Sequence, residues 1–469
     1  MAALAFLDRE RSIARPSYTR WLVPPAALAI HLSIGQAYAF SVFNIPLSRS
    51  IGITESAPGD WKLSTIGWVF STAIVFLGLS AAMFGRWLES AGPRKAMFAA
   101  ALCFSGGFFV GALGIALHQF WLLVLGYGVL GGVGLGLGYI SPVSTLIKWF
   151  PDRPGMATGL AIMGFGGGAM IASPLSVTLM SHYRTPASTG VAETFVTLGV
   201  LYFLFMMFGV FTVRLPRPGW APAGYVPRVA RGIPATTGNV EVNRAIRTPQ
   251  FWLLWTMLCL NVTAGIGVLS QASAMIQEMF PGAITVGAAA GFVGLLSLAN
   301  MGGRFLWSTL SDYIGRRATY ATFFLLGAVL YAVVPSAGRM GSVALFVLCY
   351  AIILSMYGGG FSTIPAFLRD MFGTMQVGAI HGWILTAWST AGVLGPVLVN
   401  YIREYRIEHG VPKAEAYSVT MYVMAGLLVA GFLVTLRLRP VDERHHYSGD
   451  VDYTGVAPER PRAAARPTA

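Results

Sequence analysis

The stretch AAAGFVGLLSLANMGGRFLWSTLSDYIGRR, residues 288–317, decides how the rest of the chain is read. It opens as an apolar run long enough to enter a bilayer and closes in a polar, basic turn, S-D-Y-I-G-R-R. Arg304 lies between, deep in the apolar part. A guanidinium in hydrocarbon costs a few kcal/mol or more and is kept where it faces a polar cavity. The segment reads as a membrane-spanning helix that carries a counter-charge into such a cavity, with the other helices built around it.

Composition agrees. Of 469 residues, 55% are hydrophobic and 11% charged, against about 25% charged in a soluble domain. Mean hydropathy is +0.64. The chain is an integral membrane protein. Its high aromatic and glycine content suits closely packed helices with interfacial anchors. The net charge of +13 is gathered in alternate loops, so it reports topology and gives no ground for a nucleic-acid partner. Cys103, Cys259 and Cys349 are far apart, each inside an apolar run, and form neither a CxxC pair nor a metal spacing. No metal and no cofactor are expected. The N-terminal residues lack a basic stretch ahead of an adequate apolar core, so the first helix reads as an uncleaved signal.

A spanning helix needs roughly 20 mostly apolar residues. About twelve such runs lie near 21–45, 63–84, 96–117, 120–147, 155–180, 195–213, 250–276, 285–309, 318–337, 342–368, 378–402 and 416–436. The expected organisation is an N-terminal tail over 1–20, a six-helix half over 21–213, a Pro-, Gly- and Arg-rich linker over 214–247, a second six-helix half over 248–440 and a disordered tail over 441–469. His445 and His446 read as solvated residues of that tail. Basic residues fall before the first helix, after the second, fourth, eighth and twelfth, and in the linker. By the positive-inside rule these segments, with both termini, are cytoplasmic.

The two halves repeat. Glu89 in GRWLESAGPRK (85–95) and Asp312 in STLSDYIGRR (308–317) are 223 positions apart. Pro142 and Pro365 have the same spacing, as do Gly155-xxx-Gly159 and Gly378-xxx-Gly382. This is a parallel duplication of six helices, with both halves lining one cavity near the bilayer midplane.

The paired acidic and basic loops after helices two and eight resemble the signature of the major facilitator superfamily. KWFPDRPGMATGL (148–160) resembles the turn between helices four and five of its oxalate/formate antiporter group and of the related monocarboxylate transporters. AIHGWILTAWSTAG (379–392) is similar to helix eleven of the same group. The resemblance covers nearly all of the membrane portion and neither tail. It implies an all-α major facilitator fold, about 12 helices in two halves, that moves a small solute by alternating access.

Arg304 lies eight residues before Asp312, roughly 12 Å along a helix at 1.5 Å per residue. The equivalent place in the first half is Ala81, so the repeat itself does not require an arginine. The resemblance implies that this arginine binds the substrate carboxylate, and its planar fork suits both oxygens. The alternative is an arginine that snorkels to the loop. Asn300, one turn earlier, shares its face. The animal-type monocarboxylate transporters carry a titratable aspartate there, so this departure favours exchange, or a proton carried elsewhere. Trp388 stands where the oxalate/formate exchanger carries a second cationic residue, a lysine. One fixed cation favours a singly charged carboxylate. Helix packing is the alternative role for Asn300 and for Trp388.

Tyr38, Tyr139 and Tyr357 are candidate cavity residues, since a phenol donates to a carboxylate while its ring keeps the wall tight. An interfacial belt is the other reading. Tyr38 in G-Q-A-Y and Tyr139 after G-L-G-L-G resemble the family's aromatics of helices one and four. His31, seven residues before Tyr38, is a candidate proton site or a satisfied packing residue. Glu89 with Arg94 and Lys95, and Asp312 with Arg316 and Arg317, are expected to pair between helices as gates. The glycine run 131–138 lacks G-K-[ST] and a preceding strand, so it marks close helix packing and no nucleotide loop.

The sequence thus points to a non-enzymatic secondary transporter of a small organic anion, in a bacterial inner membrane and functional as a monomer. A monocarboxylate such as formate, lactate or pyruvate fits best. Oxalate stays open, as do anion exchange and proton symport. A carrier of another small solute, a sugar or a drug, is the rival within transport, and a membrane carboxylate sensor the rival outside it.

Overall fold

The computed structural model describes residues 2–225, 236 and 238–448. The remaining residues of the linker, with Arg228 and Arg231, and the tail from 449 lie outside it. The chain forms twelve long helical segments: α1 Arg20–Leu47, α2 Leu63–Ala91, α3 Pro93–Ala116, α4 Phe120–Trp149, α5 Pro154–Tyr183, α6 Val191–Thr212, α7 Pro249–Met279, α8 Val286–Ile314, α9 Arg316–Arg339, α10 Val343–Phe372, α11 Val377–Glu408 and α12 Lys413–Leu436. Among the described residues, eleven are long and apolar enough to cross a membrane. The other long helix is α8, the one with Asn300, Arg304 and Asp312.

Local sequence sets the helix ends. Thr248, Thr285 and Ser342 cap α7, α8 and α10 by accepting the amides of Phe251, Ala288 and Leu345. Gly92 (φ 86°) and Gly315 (φ 91°) turn the chain from α2 to α3 and from α8 to α9. A left-handed turn of this kind favours glycine, and these two residues keep the same spacing as the other repeat landmarks. Four helices are irregular. α1 tightens into a 3-10 stretch over Gly35–Phe43, α4 loosens into a π stretch over Val124–Gly131, and α11 and α12 break at Leu385 and Tyr417. Such interruptions often mark functional places in a helix.

The two most extensive interfaces between the halves are α5 against α8 and α2 against α11. Both are built from small residues. Gly155 and Gly159 lie on the Ser308 and Arg304 backbone of α8, and Gly85 and Gly382 lie between Ala379 and Ala81. Side chains there would hold the helices apart.

At the face that carries both tails, each interface is closed by an acid. Asp312 accepts the amides of Gly155 and Met156 at the start of α5, both at 2.9 Å. Glu89 accepts the amide of Gly378 at the start of α11 at 2.9 Å, with Ser144 Oγ at 2.9 Å and Lys148 at 2.6 Å. Each carboxylate therefore sits on the positive end of a helix from the other half. The pairing expected from sequence needs correction. Arg316 does bind Asp312 (2.5 Å), and also Asp370 (3.0 Å). Arg94 instead donates to the carbonyls of Phe6 and Arg11, Lys95 pairs with Asp8, and Arg317 donates to the Leu436 carbonyl. Glu89 turns toward α4 and α11, which leaves Arg94 and Lys95 to hold the N-terminal segment.

The described parts of both tails dock on the bundle. Ala14 and Leu215 pair through their backbones, and Phe6 stacks on Phe211. The expectation of disorder from 441 also needs correction over 441–448. Tyr447 donates its amide to the Asn239 carbonyl, and His446 lies against Gly238, 3.3 Å from Thr236. Asn239 in turn accepts the amides of Thr374 and Met375 in the α10–α11 turn.

Candidate functional site

Arg304 is fully buried. Its Nε donates to Asn300 Oδ1 at 3.1 Å, as the one-turn spacing requires, and Nη1 donates to the Ile162 carbonyl of α5 at 3.3 Å. Its own carbonyl accepts the hydroxyls of Ser308 and Ser362. The guanidinium therefore stays within the bundle and does not reach the loop. The ring of Phe165 from α5 lies 5.6 Å on one side and that of Phe361 from α10 lies 5.4 Å away. Aromatic faces stabilise a cation partly but do not neutralise it. Among the described residues no carboxylate pairs with Arg304.

An aromatic cage surrounds this charge. Trp388, fully buried, packs on Phe361 (4.5 Å), Phe165 (5.4 Å), Tyr139 (5.4 Å) and Tyr38 (6.2 Å). Tyr38 joins the cage from α1 and Tyr139 from α4. Tyr357 from α10 closes it, its hydroxyl 3.2 Å from that of Tyr38. Tyr139, Tyr357 and Trp388 are buried, not in an interfacial belt or facing lipid. Arg304, Asn300, Tyr38, Tyr139, Tyr357 and Trp388, read separately from five helices, come together in one place.

Three buried donors in the cage have no partner among the described residues: Arg304 Nη2, Tyr139 Oη and Trp388 Nε1. Buried polar groups are normally satisfied, and each orphan costs about 1–3 kcal/mol. Unmet donors beside a cation without a carboxylate partner are groups that an anion would satisfy.

A cavity of about 530 Å³ lies on the side away from the tails, bounded by α1, α2, α7 and α11. Tyr38, Asn44, Trp68 and Asn400 supply much of its polar lining. Tyr38 belongs both to this cavity and to the cage, so it stands between them.

His31 is buried behind the cage, its Nε2 3.2 Å from the Tyr139 carbonyl and its ring edge-on to Tyr139 at 5.3 Å. Gln36 accepts from Tyr127 at 2.9 Å, away from Arg304. Several residues escaped the sequence reading. Phe165 and Phe361 flank the guanidinium, yet an apolar ring in an apolar helix gives no signal. Phe361 could have been found, because it lies one turn after Tyr357 on the same face. Asp370 joins Arg316, and Lys148 joins Glu89, across distances no local pattern encodes.

A family model for the Major Facilitator Superfamily matches residues 26–396. The oxalate:formate antiporter of Oxalobacter formigenes is 28% identical over 382 residues, 80% of this chain and 83% of that protein. Apicoplast pyruvate carrier 1 of Toxoplasma gondii is 27% identical over 395 residues, 72% of this chain and 69% of that one. The crystal structure of the Escherichia coli fucose:proton symporter shares the fold, with a TM-score of 0.63, 12% identity and coverage of 90% of this chain and 100% of that one. The repeated halves, the acid-capped inter-half interfaces and a family match over most of the helices lead to one conclusion: this chain is a multi-pass membrane transporter and belongs to the major facilitator superfamily.

Proposed function

We propose that this transporter carries small monocarboxylates such as formate, lactate or pyruvate, and that Arg304 is the counter-charge of the carboxylate. The observation that carries this reading is a fully buried guanidinium without an acidic partner, with its Nη2 free and the unmet donors of Tyr139 and Trp388 around it. A carboxylate entering the cage gains a charge-assisted bond from Arg304 and further bonds from the phenol and the indole. The aromatic walls exclude water, which strengthens each of these interactions.

The charge count selects the valence. Arg304 is the one cationic side chain described in the cage, and a monoanion neutralises it. Oxalate is the second reading, favoured by the relationship to the oxalate:formate antiporter. Asn300 holds Arg304 through Nε, so it orients the fork and does not titrate.

Alternating access follows from the two interfaces. The structure is closed on the tail-bearing face by Asp312 and Glu89 and has its cavity on the other side. With the basic, tail-bearing face in the cytoplasm of a bacterial inner membrane, this is an outward-facing state. Rocking of the halves would part α5 from α8 and α2 from α11 below the cage. One chain holds every part of this site, so a monomer suffices.

Purified protein in liposomes preloaded with unlabelled formate tests the reading. Labelled formate, lactate or pyruvate should enter faster than into liposomes without protein, and Arg304→Ala should abolish that entry. Failure of wild-type protein to move any of these anions would sink the reading.

A further inference from the structure

On the tail side of the cage, two histidines flank Tyr139. His31 of α1 approaches its ring at 5.3 Å and His381 of α11 at 5.8 Å. Both are buried, His381 to 1% exposure. Among the described residues, both His381 ring nitrogens, His31 Nδ1 and Tyr139 Oη lack a partner. The helix positions fix the level. His381 lies three residues after Gly378, whose amide binds Glu89, and seven before Trp388 of the cage. At 1.5 Å per residue it is about 5 Å from the closed interface and about 10 Å from the cage wall. The pair thus sits between the anion site and the barrier to the tail-bearing face.

We propose that His381, together with His31 across Tyr139, is the proton-binding site that couples carboxylate uptake to a pH gradient; this rests on the carboxylate reading above. The step is a proton exchange. A proton from the outer solution adds to an imidazole nitrogen lone pair as the anion enters, and it leaves to water on the tail-bearing face after the halves rock. A neutral imidazole offers one ring-nitrogen lone pair that can take up a proton.

The other ionisable groups on the surrounding helices are already committed. On α2, Glu89 is held by Gly378, Ser144 and Lys148 of α4, and Arg86 is exposed. On α10, Asp370 is shared by Arg316 and Arg369, and Tyr357 is bonded to Tyr38. On α7, Glu278 lies at the far end and pairs with Arg403. Arg244, in the short helix Val242–Ala245, donates to the His446 carbonyl. Arg304 of α8 is held by Asn300 and the Ile162 carbonyl. One proton carried by the pair and one monoanion cross together as a neutral load.

The location also supplies alternating access for the proton. Ala379 and Gly382, either side of His381, are packed on Gly85 and Ala81 of α2. Parting of α2 from α11 uncovers the His381 ring on the tail-bearing face.

The test uses purified full-length protein in liposomes with two assays. One measures exchange of labelled formate, pyruvate or lactate against the same anion inside, at equal pH. The other measures net uptake into empty vesicles under an acid-outside gradient. Wild type should perform both. His381→Gln should keep exchange within about threefold and lose gradient-driven uptake at least tenfold. The outer-pH profile of its remaining uptake should be flat between pH 5.5 and 7.5. His31→Gln should also lose gradient-driven uptake.

Gradient-driven uptake that survives His381→Gln overturns the proposal while the carboxylate reading stands. So does wild-type exchange without any gradient-driven uptake. If both His381→Gln and His381→Asn lose exchange as well, His381 is a packing residue and the proposal fails. If wild type exchanges none of the carboxylates, the reading fails and this inference with it.

Discussion

The hydroxyls of Tyr38 and Tyr357 lie 3.2 Å apart and join α1 of the first half to α10 of the second. Tyr38 also lines the 530 Å³ cavity, and its ring is edge-on to Phe165 at 5.0 Å, beneath which Arg304 is fully buried. Passage from the cavity to Arg304 thus runs past this pair. A hydrogen bond between neutral groups contributes only about 0.5–1.5 kcal/mol. That is strong enough to favour the shut position and weak enough to open when the proposed carboxylate offers the phenols a better partner.

This gate can be read out by thiol chemistry. With Cys103, Cys259 and Cys349 changed to serine, Arg304→Cys should react slowly with a membrane-impermeant thiol reagent added on the cavity side. Adding Tyr38→Ala should raise the rate roughly tenfold or more by opening the wall, an estimate that treats the cage as a buried, close-packed interior. Equal rates in the two proteins would mean that Tyr38 does not separate cavity from cage.

Arg304 should trade stability for function. An unpaired buried charge destabilises the empty protein, and an apolar side chain of similar volume relieves it. Arg304→Met should abolish uptake yet raise the melting temperature of the substrate-free protein in detergent, by about 2–4 °C for each kcal/mol gained in a domain of this size range. Arg304→Lys should keep weak transport, because a point charge replaces the fork. A fall in melting temperature for Arg304→Met would show that the guanidinium is already well compensated.

The parts of this site that were legible in the sequence are those that violate a local rule, suit the chemistry or match a family string. Arg304 stands out because hydrocarbon excludes charge, the three tyrosines because a phenol can donate to a carboxylate, and Trp388 through its place in the helix-eleven string that resembles the family. The 223-residue spacing is legible because duplication preserves order. What was not legible depends on where helices meet. Glu89 precedes Arg94 and Lys95 in the sequence, yet helix packing brings Lys148 and the Gly378 amide closer. Phe165 and Phe361 look like any core aromatics until the guanidinium is placed between them. His381 reads as a residue near a helix start, and only the approach of α4 shows that its ring faces Tyr139.

Asp312 should act as a latch. Its two oxygens accept amides from the start of α5, and hydrogen bonds to a charged group contribute about 1.5–3 kcal/mol. Asp312→Asn keeps the shape and removes the charge on which both the helix end and Arg316 depend. The equilibrium should shift toward the state open on the tail-bearing face by about tenfold or more, since 1.4 kcal/mol is a tenfold change. Spin labels at the exposed positions Arg153 and Tyr313 should report a larger long-distance population in the variant. Unchanged distance distributions would remove Asp312 from the gating mechanism.

Trp388 sets the last test, because on the proposed reading a second cation at its position in the cage would convert a monoanion site into a dianion site. Its ring touches Phe361, Phe165, Tyr139 and Tyr38, so a side chain here faces the same space as the Arg304 guanidinium. Trp388→Lys places an ammonium among these rings. The empty variant carries two like charges in one buried space, which should lower its stability and its affinity for formate. Oxalate can answer both charges at once, each by a charge-assisted bond. In liposome exchange the oxalate-to-formate ratio of initial rates should therefore rise at least tenfold. The same variant should melt at a lower temperature without ligand and recover when oxalate is added, as binding to the folded state alone requires. A ratio that stays at its wild-type value, with the protein folded, would refute the counting of fixed charges as the basis of selectivity.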